Sequence, residues 1–268
     1  MGKCTLSGGI AVNVVINGLN THYLKEGNGG NVLVLQGWGT EIELYGAVIS
    51  ELAKKFTVYA PDFPGFGKTD EPKEPWCVDD YVDFVVAFCK EMGITKTILF
   101  GHSFGCRVII KLLSRKECPI EVEKVILTGA AGIKPVQSES AKKKTSAYQR
   151  GKKILSTPLM KKLFPNALEK LRQKHGSADY RAASPMMRQV LVKTVNEDLS
   201  HLLPEIRQEV LLIWGRNDDA TPLSDGERME KEMQNAGLAV IDNGGHFAFI
   251  EQQYLFLRIL DSFLKIDE

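Results

Sequence analysis

Short apolar runs that alternate with amphipathic helical segments constrain the fold of this chain more than any other feature of its sequence. An apolar run of about four to eight residues is typical of a buried strand, and apolar residues at helical spacing predict a helix packed on one face. The runs predict strands over residues 10–16, 21–24, 31–35, 56–60, 97–100, 122–127, 210–214 and 239–241. Helices are predicted over residues 42–54, 78–91, 103–114, 225–234 and 249–264. This order favours an α/β fold, with a mostly parallel sheet of about eight strands and helices on both faces.

The alternation is interrupted between residues 133 and 204, where no convincing strand pattern occurs. Apolar spacing in this stretch indicates about three or four helices, broken by Pro158, Pro165, Gly176 and Pro185. The stretch carries 15 Lys and Arg against 5 Asp and Glu, whereas the whole chain has a formal net charge of +1. We therefore predict a core domain formed by residues 1–132 and 205–268, with residues 133–204 inserted as an all-helical cap.

Composition and cysteine usage exclude several classes of protein. Hydrophobic residues make up 44% and charged residues 25%, as in an ordinary globular protein, and a net charge of +1 does not favour nucleic acid. The five cysteines form no C-x-x-C pair and no zinc-ligand pattern, which indicates reduced thiols. No apolar run approaches the roughly 20 residues that span a bilayer, and no signal-peptide pattern opens the chain. We expect a cytoplasmic protein with neither a nucleic-acid nor a membrane partner; its oligomeric state is not indicated.

The pentapeptide Gly-His-Ser-Phe-Gly at residues 101–105 carries the sharpest chemical signal. It follows a predicted strand and precedes a predicted helix, the context in which G-x-S-x-G marks a nucleophilic serine. Glycines on both sides of a sharp strand-to-helix turn let neighbouring backbone pass without a clash. We therefore predict that Ser103 is a nucleophile at the carboxyl edge of the sheet. The alternative is a chance loop of glycine and serine.

A nucleophilic serine needs a base, and the base needs an orienting carboxylate; the chain order expected for this elbow is Ser, Asp or Glu, then His. Asp218 lies just past a predicted strand, where ligands gather in open α/β sheets, and the adjacent Asp219 is the alternative. His246 follows two glycines after the last predicted strand. We expect structural or exposed positions for the remaining histidines, which are residues 22, 102, 175 and 201. The predicted triad is Ser103, Asp218 and His246.

Acyl transfer also needs hydrogen-bond donors for the oxyanion that develops on the substrate. The backbone N–H of Phe104, the residue after the nucleophile, is the first expected donor. The second is the backbone N–H of Trp38, in the loop after the third predicted strand, because Gly37 and Gly39 free the turn around it. The alternative for this loop is a plain glycine-rich turn.

These segments together resemble the α/β-hydrolase family in its short, cofactor-free, cap-bearing branch. The resemblance rests on five segments in family order: Gln-Gly-Trp-Gly at 36–39, Asp-Phe-Pro-Gly-Phe-Gly at 62–67, Gly-His-Ser-Phe-Gly at 101–105, Trp-Gly-Arg-Asn-Asp at 214–218 and Gly-His-Phe at 245–247. It covers nearly the whole chain apart from the predicted cap. It implies the α/β-hydrolase fold, no cofactor, no metal and a structural role for the loop at 62–67.

Two positions refine the resemblance. The family usually has His-Gly where this chain has Gln36 and Gly37, and a glutamine can hold the loop by hydrogen bonds but cannot titrate. Family members that open epoxides or displace halide use an aspartate at the elbow, so Ser103 argues against both reactions.

The predicted function is hydrolysis of a small carboxylic ester or lactone through an acyl-enzyme, as in a carboxylesterase acting on a small-molecule acyl substrate. The same triad can instead cleave a carbon–carbon bond of a β-diketone-like acid, or pass the acyl group to an acceptor other than water. A third interpretation is a ligand-binding receptor on a hydrolase scaffold. The basic balance of residues 133–204 indicates either solvated helix faces paired with an acidic core or attraction of an anionic substrate.

Overall fold

The computed structural model describes residues 10–134, 150, 153–164, 166–167, 171 and 177–268, and its centre is one eight-stranded sheet. The strands are β1 (Ile10–Ile16), β2 (Leu19–Glu26), β3 (Gly30–Leu35), β4 (Phe56–Pro61), β5 (Lys96–His102), β6 (Glu121–Thr128), β7 (Glu209–Gly215) and β8 (Ala236–Ile241). They lie in the order β1-β2-β4-β3-β5-β6-β7-β8. β2 is antiparallel to β1 and β4, and the other neighbouring pairs are parallel. The predicted fold class is confirmed.

Helices cover both faces of the sheet, because successive side chains of a strand point to opposite faces. The helices are α1 (Gly46–Leu52), α2 (Val78–Glu91), α3 (Phe104–Leu113), α4 (Pro158–Leu163), α5 (Ala178–Ala182), α6 (Pro185–Val195), α7 (Leu223–Glu232), α8 (Ala248–Glu251) and α9 (Gln253–Leu264). In β3, Leu33 and Leu35 join the apolar cluster that contains buried residues of α2, α3 and α7. Val32 and Val34 join the cluster on the other face, with buried residues of α1 and α9. The two clusters explain why β3 is apolar at every central position.

The topology places three loops at one edge of the sheet. β5, β7 and β8 belong to the parallel part of the sheet, so their carboxyl ends share that edge. The turn after β5 carries Ser103, the loop after β7 carries Asp218, and the loop after β8 carries His246. Residues that are more than a hundred positions apart in sequence are thereby brought to one place.

Two predicted helices are interrupted in the structure. The helix predicted over residues 42–54 begins as a 3-10 turn, Ile42–Tyr45, and continues as α1. The helix predicted over residues 249–264 is divided at Gln252, whose φ of −129° and ψ of 47° lie outside the helical region. The two interrupted segments pack on each other, since the rings of Tyr45 and Phe249 stack with centroids 4.9 Å apart.

The stretch predicted as a cap joins β6 to β7, and its described part contains helices and no strand. Pro158 and Pro185 each occupy the first position of a helix, where the missing N–H needs no partner, while the breaks predicted at Pro165 and Gly176 lie outside the described residues. The division into core and cap stays a prediction. None of the helices in the described ranges is long and apolar enough to cross a membrane.

Candidate active site

Ser103 lies at the turn between β5 and α3 in a backbone conformation that few residues adopt. Its φ is 49° and its ψ is −106°, a strained combination for a residue with a Cβ. The turn is held from both sides, because Ser103 N–H donates to Thr128 O at 3.0 Å and Ser103 O accepts from Ala131 N at 3.1 Å. The half-buried side chain therefore sits at the N-terminus of α3, where the helix dipole favours negative charge.

The glycines that flank this turn have no room for a side chain. A Cβ on Gly105 would lie 2.1 Å from Leu35 O, and a Cβ on Gly101 would lie 2.7 Å from Ile109 Cδ1. Both distances are far inside van der Waals contact. The glycines of the pentapeptide thus allow α3 to approach β3 and its own strand closely, as the sequence predicted.

Asp218 and His246 are in direct contact. Asp218 Oδ2 lies 2.9 Å from His246 Nδ1. The Asp218 carboxylate also accepts from Ala220 N, Thr221 N and Thr221 Oγ1, each at 2.9 Å. Burial raises the pKa of Asp218, but the hydrogen bonds from His246 and Thr221 outweigh it and hold this pKa below its ordinary value. The adjacent Asp219 is exposed and does not take this place.

The contact with Asp218 determines which nitrogen of His246 is basic. An ionised carboxylate only accepts, so Nδ1 carries the proton and Nε2 keeps its lone pair. Gly129, whose φ is 49°, leaves room for the contact between Asp218 and His246. A Cβ at this position would lie 3.2 Å from both Asp218 Oδ2 and His246 Nδ1. Glu251 accepts the N–H of Gly245 and so anchors the loop that carries His246.

Ser103 Oγ has no hydrogen-bond partner within the described part of the chain. The structure thus brings Asp218 and His246 together and places Ser103 at the same sheet edge, without a closed bond between the serine and the histidine. Such bonds are often long in the absence of substrate and tighten in the complex.

The two predicted oxyanion donors lie on the loop after β3 and at the first position of α3, which meet beside Ser103. A Cβ on Gly37 would lie 3.4 Å from Ser103 Cβ, and the rings of Trp38 and Phe104 contact each other at 5.4 Å. Among the described residues, no protein group accepts the N–H of Trp38 or of Phe104. Both donors are therefore available to an oxygen of a ligand.

Gln36, which stands where the resemblance expects histidine, is fully buried. Its Nε2 donates to Thr40 O and so ties the two ends of the oxyanion loop together. Its Oε1 has no partner among the described residues. The side chain holds the loop, as the sequence suggested a glutamine would.

Aromatic rings form an apolar wall beside the serine. The ring of Trp38 packs edge-on against Phe66 at 4.8 Å and against Phe104 at 5.4 Å. Phe66 and Phe104 are buried and Trp38 is half-buried. Because none of these three side chains carries a charge, this surface suits an apolar part of a ligand.

The other histidines occupy structural or exposed positions where they are described. His22 Nδ1 lies 2.9 Å from Asp62 Oδ2, His201 is exposed, and His102 is buried beneath the site. His175 lies outside the described residues.

Asp62 also accepts from the N–H groups of Ile42 and Lys68, both at 3.0 Å. This carboxylate joins three segments, which is the structural role that the resemblance implied for residues 62–67.

Sequence reasoning missed Thr221 and Tyr45. Thr221 donates both its hydroxyl and its N–H to Asp218. The sequence did contain a signal for Thr221, because an aspartate often forms a turn in which it accepts the N–H groups two and three residues later. Tyr45 OH lies 2.9 Å from His102 Nδ1 across 57 positions of sequence, and no local pattern predicts such a contact.

Comparisons with known proteins agree with this fold. A family model for the alpha/beta hydrolase fold matches residues 30–253. One similar protein is the 2-hydroxy-6-oxo-2,4-heptadienoate hydrolase of Pseudomonas putida, 26% identical over 285 residues that cover 100% of this chain and 98% of that protein. Another is the 2-hydroxymuconate semialdehyde hydrolase of a Pseudomonas species, 26% identical over 266 residues, or 94% of this chain and 92% of that protein.

Solved structures are similar over nearly the whole chain. An esterase from Exiguobacterium antarcticum superposes with a TM-score of 0.74 at 23% identity, covering 96% of this chain and 100% of that chain. A meta-cleavage product hydrolase from Pseudomonas fluorescens has a TM-score of 0.71 at 23% identity, covering 97% and 99%. At these identities the structures support the fold alone. Because the family model matches most of its length, the chain belongs to the alpha/beta hydrolase fold family, and the similar proteins named here are hydrolases.

Proposed function

We propose that this protein hydrolyses a small carboxylic ester or lactone through an acyl-enzyme formed on Ser103. The observation that carries the proposal is the Asp218–His246 pair, joined at 2.9 Å on the same sheet edge as a serine in strained backbone geometry. A chance loop of glycine and serine would not be expected on the same sheet edge as this carboxylate–imidazole pair.

In the proposed reaction, His246 Nε2 accepts the hydroxyl proton as Ser103 Oγ attacks the acyl carbon. Asp218 keeps the proton on Nδ1 and stabilises the imidazolium. The N–H groups of Trp38 and Phe104 hold the oxyanion. His246 then gives its proton to the leaving oxygen, and water attacks the acyl-enzyme with His246 again as base, which releases the acid and restores Ser103.

The apolar wall of Trp38, Phe66 and Phe104 favours an uncharged group next to the reacting carbonyl. The basic balance of residues 133–204 supports an anionic group farther from the serine, or else reflects solvated helix faces. A salt titration of KM separates these two, since electrostatic attraction of an anionic ester weakens with ionic strength and packing of a neutral ester does not.

A second candidate is hydrolysis of a carbon–carbon bond, and two relatives favour it. One is named as a hydrolase of 2-hydroxy-6-oxo-2,4-heptadienoate, and the other as a hydrolase of 2-hydroxymuconate semialdehyde. In that reaction the attacked carbonyl is a ketone or an aldehyde, and the breaking carbon–carbon bond leaves its electron pair on a carbon conjugated with a second carbonyl, where a proton replaces the lost acyl group. The same base and oxyanion donors would serve both reactions, so only a product assay distinguishes them.

The test combines a fluorophosphonate probe with a panel of p-nitrophenyl esters of increasing acyl length and a dienoate carbon–carbon substrate. Ser103→Ala should abolish labelling and lower turnover at least about a thousandfold, because nucleophile and base act as one unit. The matched control is Ser114→Ala, at the other end of α3, where the hydroxyl donates to Lys111 O at 2.9 Å. It should keep wild-type turnover.

Undiminished turnover in Ser103→Ala would contradict the proposal. Faster turnover of the dienoate than of every ester would favour the second candidate. Sustained turnover of simple esters would argue against a ligand-binding receptor, the remaining interpretation.

A further inference from the structure

A series of hydrogen bonds that the proposed reaction does not use runs beneath the site. The carbonyl oxygen of His246 lies 3.0 Å from His102 Nε2. His102 Nδ1 lies 2.9 Å from Tyr45 OH, and the Tyr45 oxygen accepts the N–H of Gly37 at 2.8 Å. The series therefore connects the loop of the proposed base to the loop that presents the N–H of Trp38.

The partners determine the direction of every bond in this series. A carbonyl oxygen only accepts, so His102 Nε2 must carry a proton and donate it to His246 O. In a neutral imidazole the other nitrogen then accepts, and Tyr45 OH must donate to His102 Nδ1. The phenolic oxygen keeps lone pairs for the N–H of Gly37. Each of these three links has one donor and one acceptor. Thr40 Oγ1 also lies 3.1 Å from the Tyr45 oxygen.

The series is neutral because both side chains are removed from water. His102 is 1% exposed, and burial lowers its pKa to about 3, with the nearby His246 acting in the same direction. Tyr45 is 0% exposed, and burial raises its pKa. Neither group changes its charge in the pH range in which an imidazole base works, so the hydrogen-bond directions stay the same throughout.

Close packing makes the connection stiff. A Cβ on Gly37 would lie 2.7 Å from His102 Nδ1, so the oxyanion loop rests directly on the imidazole. The rings of His102 and His246 lie 4.8 Å apart, and Phe249 contacts both His102, at 5.0 Å, and Tyr45, at 4.9 Å. Thr40 Oγ1 braces the same loop by donating to Gly37 O at 2.9 Å.

We propose that His102 and Tyr45 are positioning residues, which set the distance between the His246 loop and the oxyanion loop by one continuous series of hydrogen bonds. Neither residue touches the reacting atoms. Their effect is on the spacing between the base and the oxyanion donor, which the transition state requires more strictly than the bound substrate does. The proposal rests on the proposed function, since it assigns a role within that reaction.

Tyr45→Phe is the sharpest test, because it removes the hydroxyl and keeps the ring stacked on Phe249. With p-nitrophenyl acetate as the probe, kcat should fall about tenfold or more and KM should stay within about twofold. The rate of inactivation by a fluorophosphonate should fall with kcat. The matched control is Tyr81→Phe, which loses an equally buried hydroxyl whose acceptor is Pro64 O at 3.0 Å, outside this series. It should keep the wild-type kcat.

A double variant tests whether the two residues act through one connection. Tyr45→Phe combined with His102→Leu, which can make neither hydrogen bond, should lower kcat no further than the more severe single variant, because either change already breaks the series. If the two losses of kcat multiply in the double variant, the proposal is overturned. Equal losses of kcat in Tyr45→Phe and Tyr81→Phe would also overturn it.

Nitrogen-15 NMR of the His102 ring gives a readout that does not depend on turnover. A proton should be found on Nε2 and not on Nδ1 from pH 5 to pH 8. The Nδ1 signal should shift in Tyr45→Phe and should not shift in Tyr81→Phe. A proton on Nδ1 would overturn the assignment. An unlabelled, inactive wild type would contradict the proposed hydrolase, whereas an active wild type whose Tyr45→Phe variant is equally active would contradict the positioning role.

Discussion

At the scale of single residues, His102 at the end of β5 and Ser103 directly after it meet opposite requirements. Ser103 is half-buried and held in a backbone conformation that costs free energy. Such strained conformations are typical of residues at functional sites. His102 is buried and neutral, which costs free energy in a different way, because a histidine in the unfolded chain can take up a proton that the folded protein excludes.

His102 should therefore make stability depend on pH. Its pKa is lowered from the ordinary value of about 6.5 to about 3, so below pH 6.5 the unfolded chain binds a proton that the folded chain does not. The stability that this residue contributes is present above about pH 6.5 and is lost as the pH falls toward 3. Between pH 6.5 and pH 5 the loss is about 2 kcal/mol.

His102→Gln should remove that part of the pH dependence, because glutamine can donate to His246 O without titrating. Urea unfolding at several pH values between 5 and 7 measures it. His201→Gln is the matched control at an exposed histidine and should keep the wild-type slope. A slope in His102→Gln equal to that of the wild type would show that His102 is not the group responsible.

At the scale of secondary-structure elements, the close approach of α3 to β3 determines where Ser103 stands. Gly105 lies in the first turn of α3, and its Cα faces the backbone of Leu35 and Gln36. The same approach brings the N-terminus of α3 to the loop that carries Trp38. The close approach that Gly105 permits thus contributes to the spacing between the two proposed oxyanion donors.

Gly105→Ala should be destabilising, although alanine is the better helix former. Helix propensity alone would stabilise the variant by up to about 1 kcal/mol, but the new Cβ would lie 2.1 Å from Leu35 O and would push the two elements apart. We expect a net loss of about 2 kcal/mol or more in the free energy of unfolding, measured by urea. Gly237→Ala, where nothing lies within 4 Å of the new Cβ, should cost nothing; equal stability of the two variants would contradict the close approach.

At the scale of the whole molecule, the segment between β6 and β7 contacts the rest of the chain at several points. Met187 of α6 is 2% exposed and lies against Gly65, where a Cβ would be 2.3 Å from the Met187 sulfur. Glu197, which follows α6, accepts from Lys111 of α3 and offers its carbonyl to Arg107. The segment is therefore connected to α3, the helix that follows Ser103, and to the loop that carries Phe66.

Met187→Ala should weaken this connection. Truncating a buried methionine costs about 2–5 kcal/mol, and the cavity would open between α6 and the loop at Gly65. We expect a loss of at least about 2 kcal/mol in thermal or urea unfolding, together with a changed preference for acyl length in the ester panel. Met186→Ala, at the half-buried neighbouring position, is the control and should cost less. Equal losses of stability in the two variants would show that Met187 does not make the buried contact with the loop at Gly65.

Local patterns of residue type encode much of this protein. Apolar runs and turn residues predicted all eight strands, and the Asn-Gly turn between β1 and β2 has the positive φ values of 50° and 80° that its residue types favour. The pentapeptide around Ser103 and the strand ends at Asp218 and His246 predicted one shared edge, because parallel strands place their carboxyl ends together.

The contacts that join distant segments depend on the folded arrangement of the loops. The break at Gln252, the hydroxyl of Thr221 on Asp218, and the connection from His246 through His102 and Tyr45 all depend on which loops meet. A buried hydrogen bond across 57 positions leaves no periodicity or turn signal, since any buried polar group satisfies its need with whichever partner the fold provides. The residues proposed to do chemistry were therefore readable from sequence, whereas the residues proposed to position them were not.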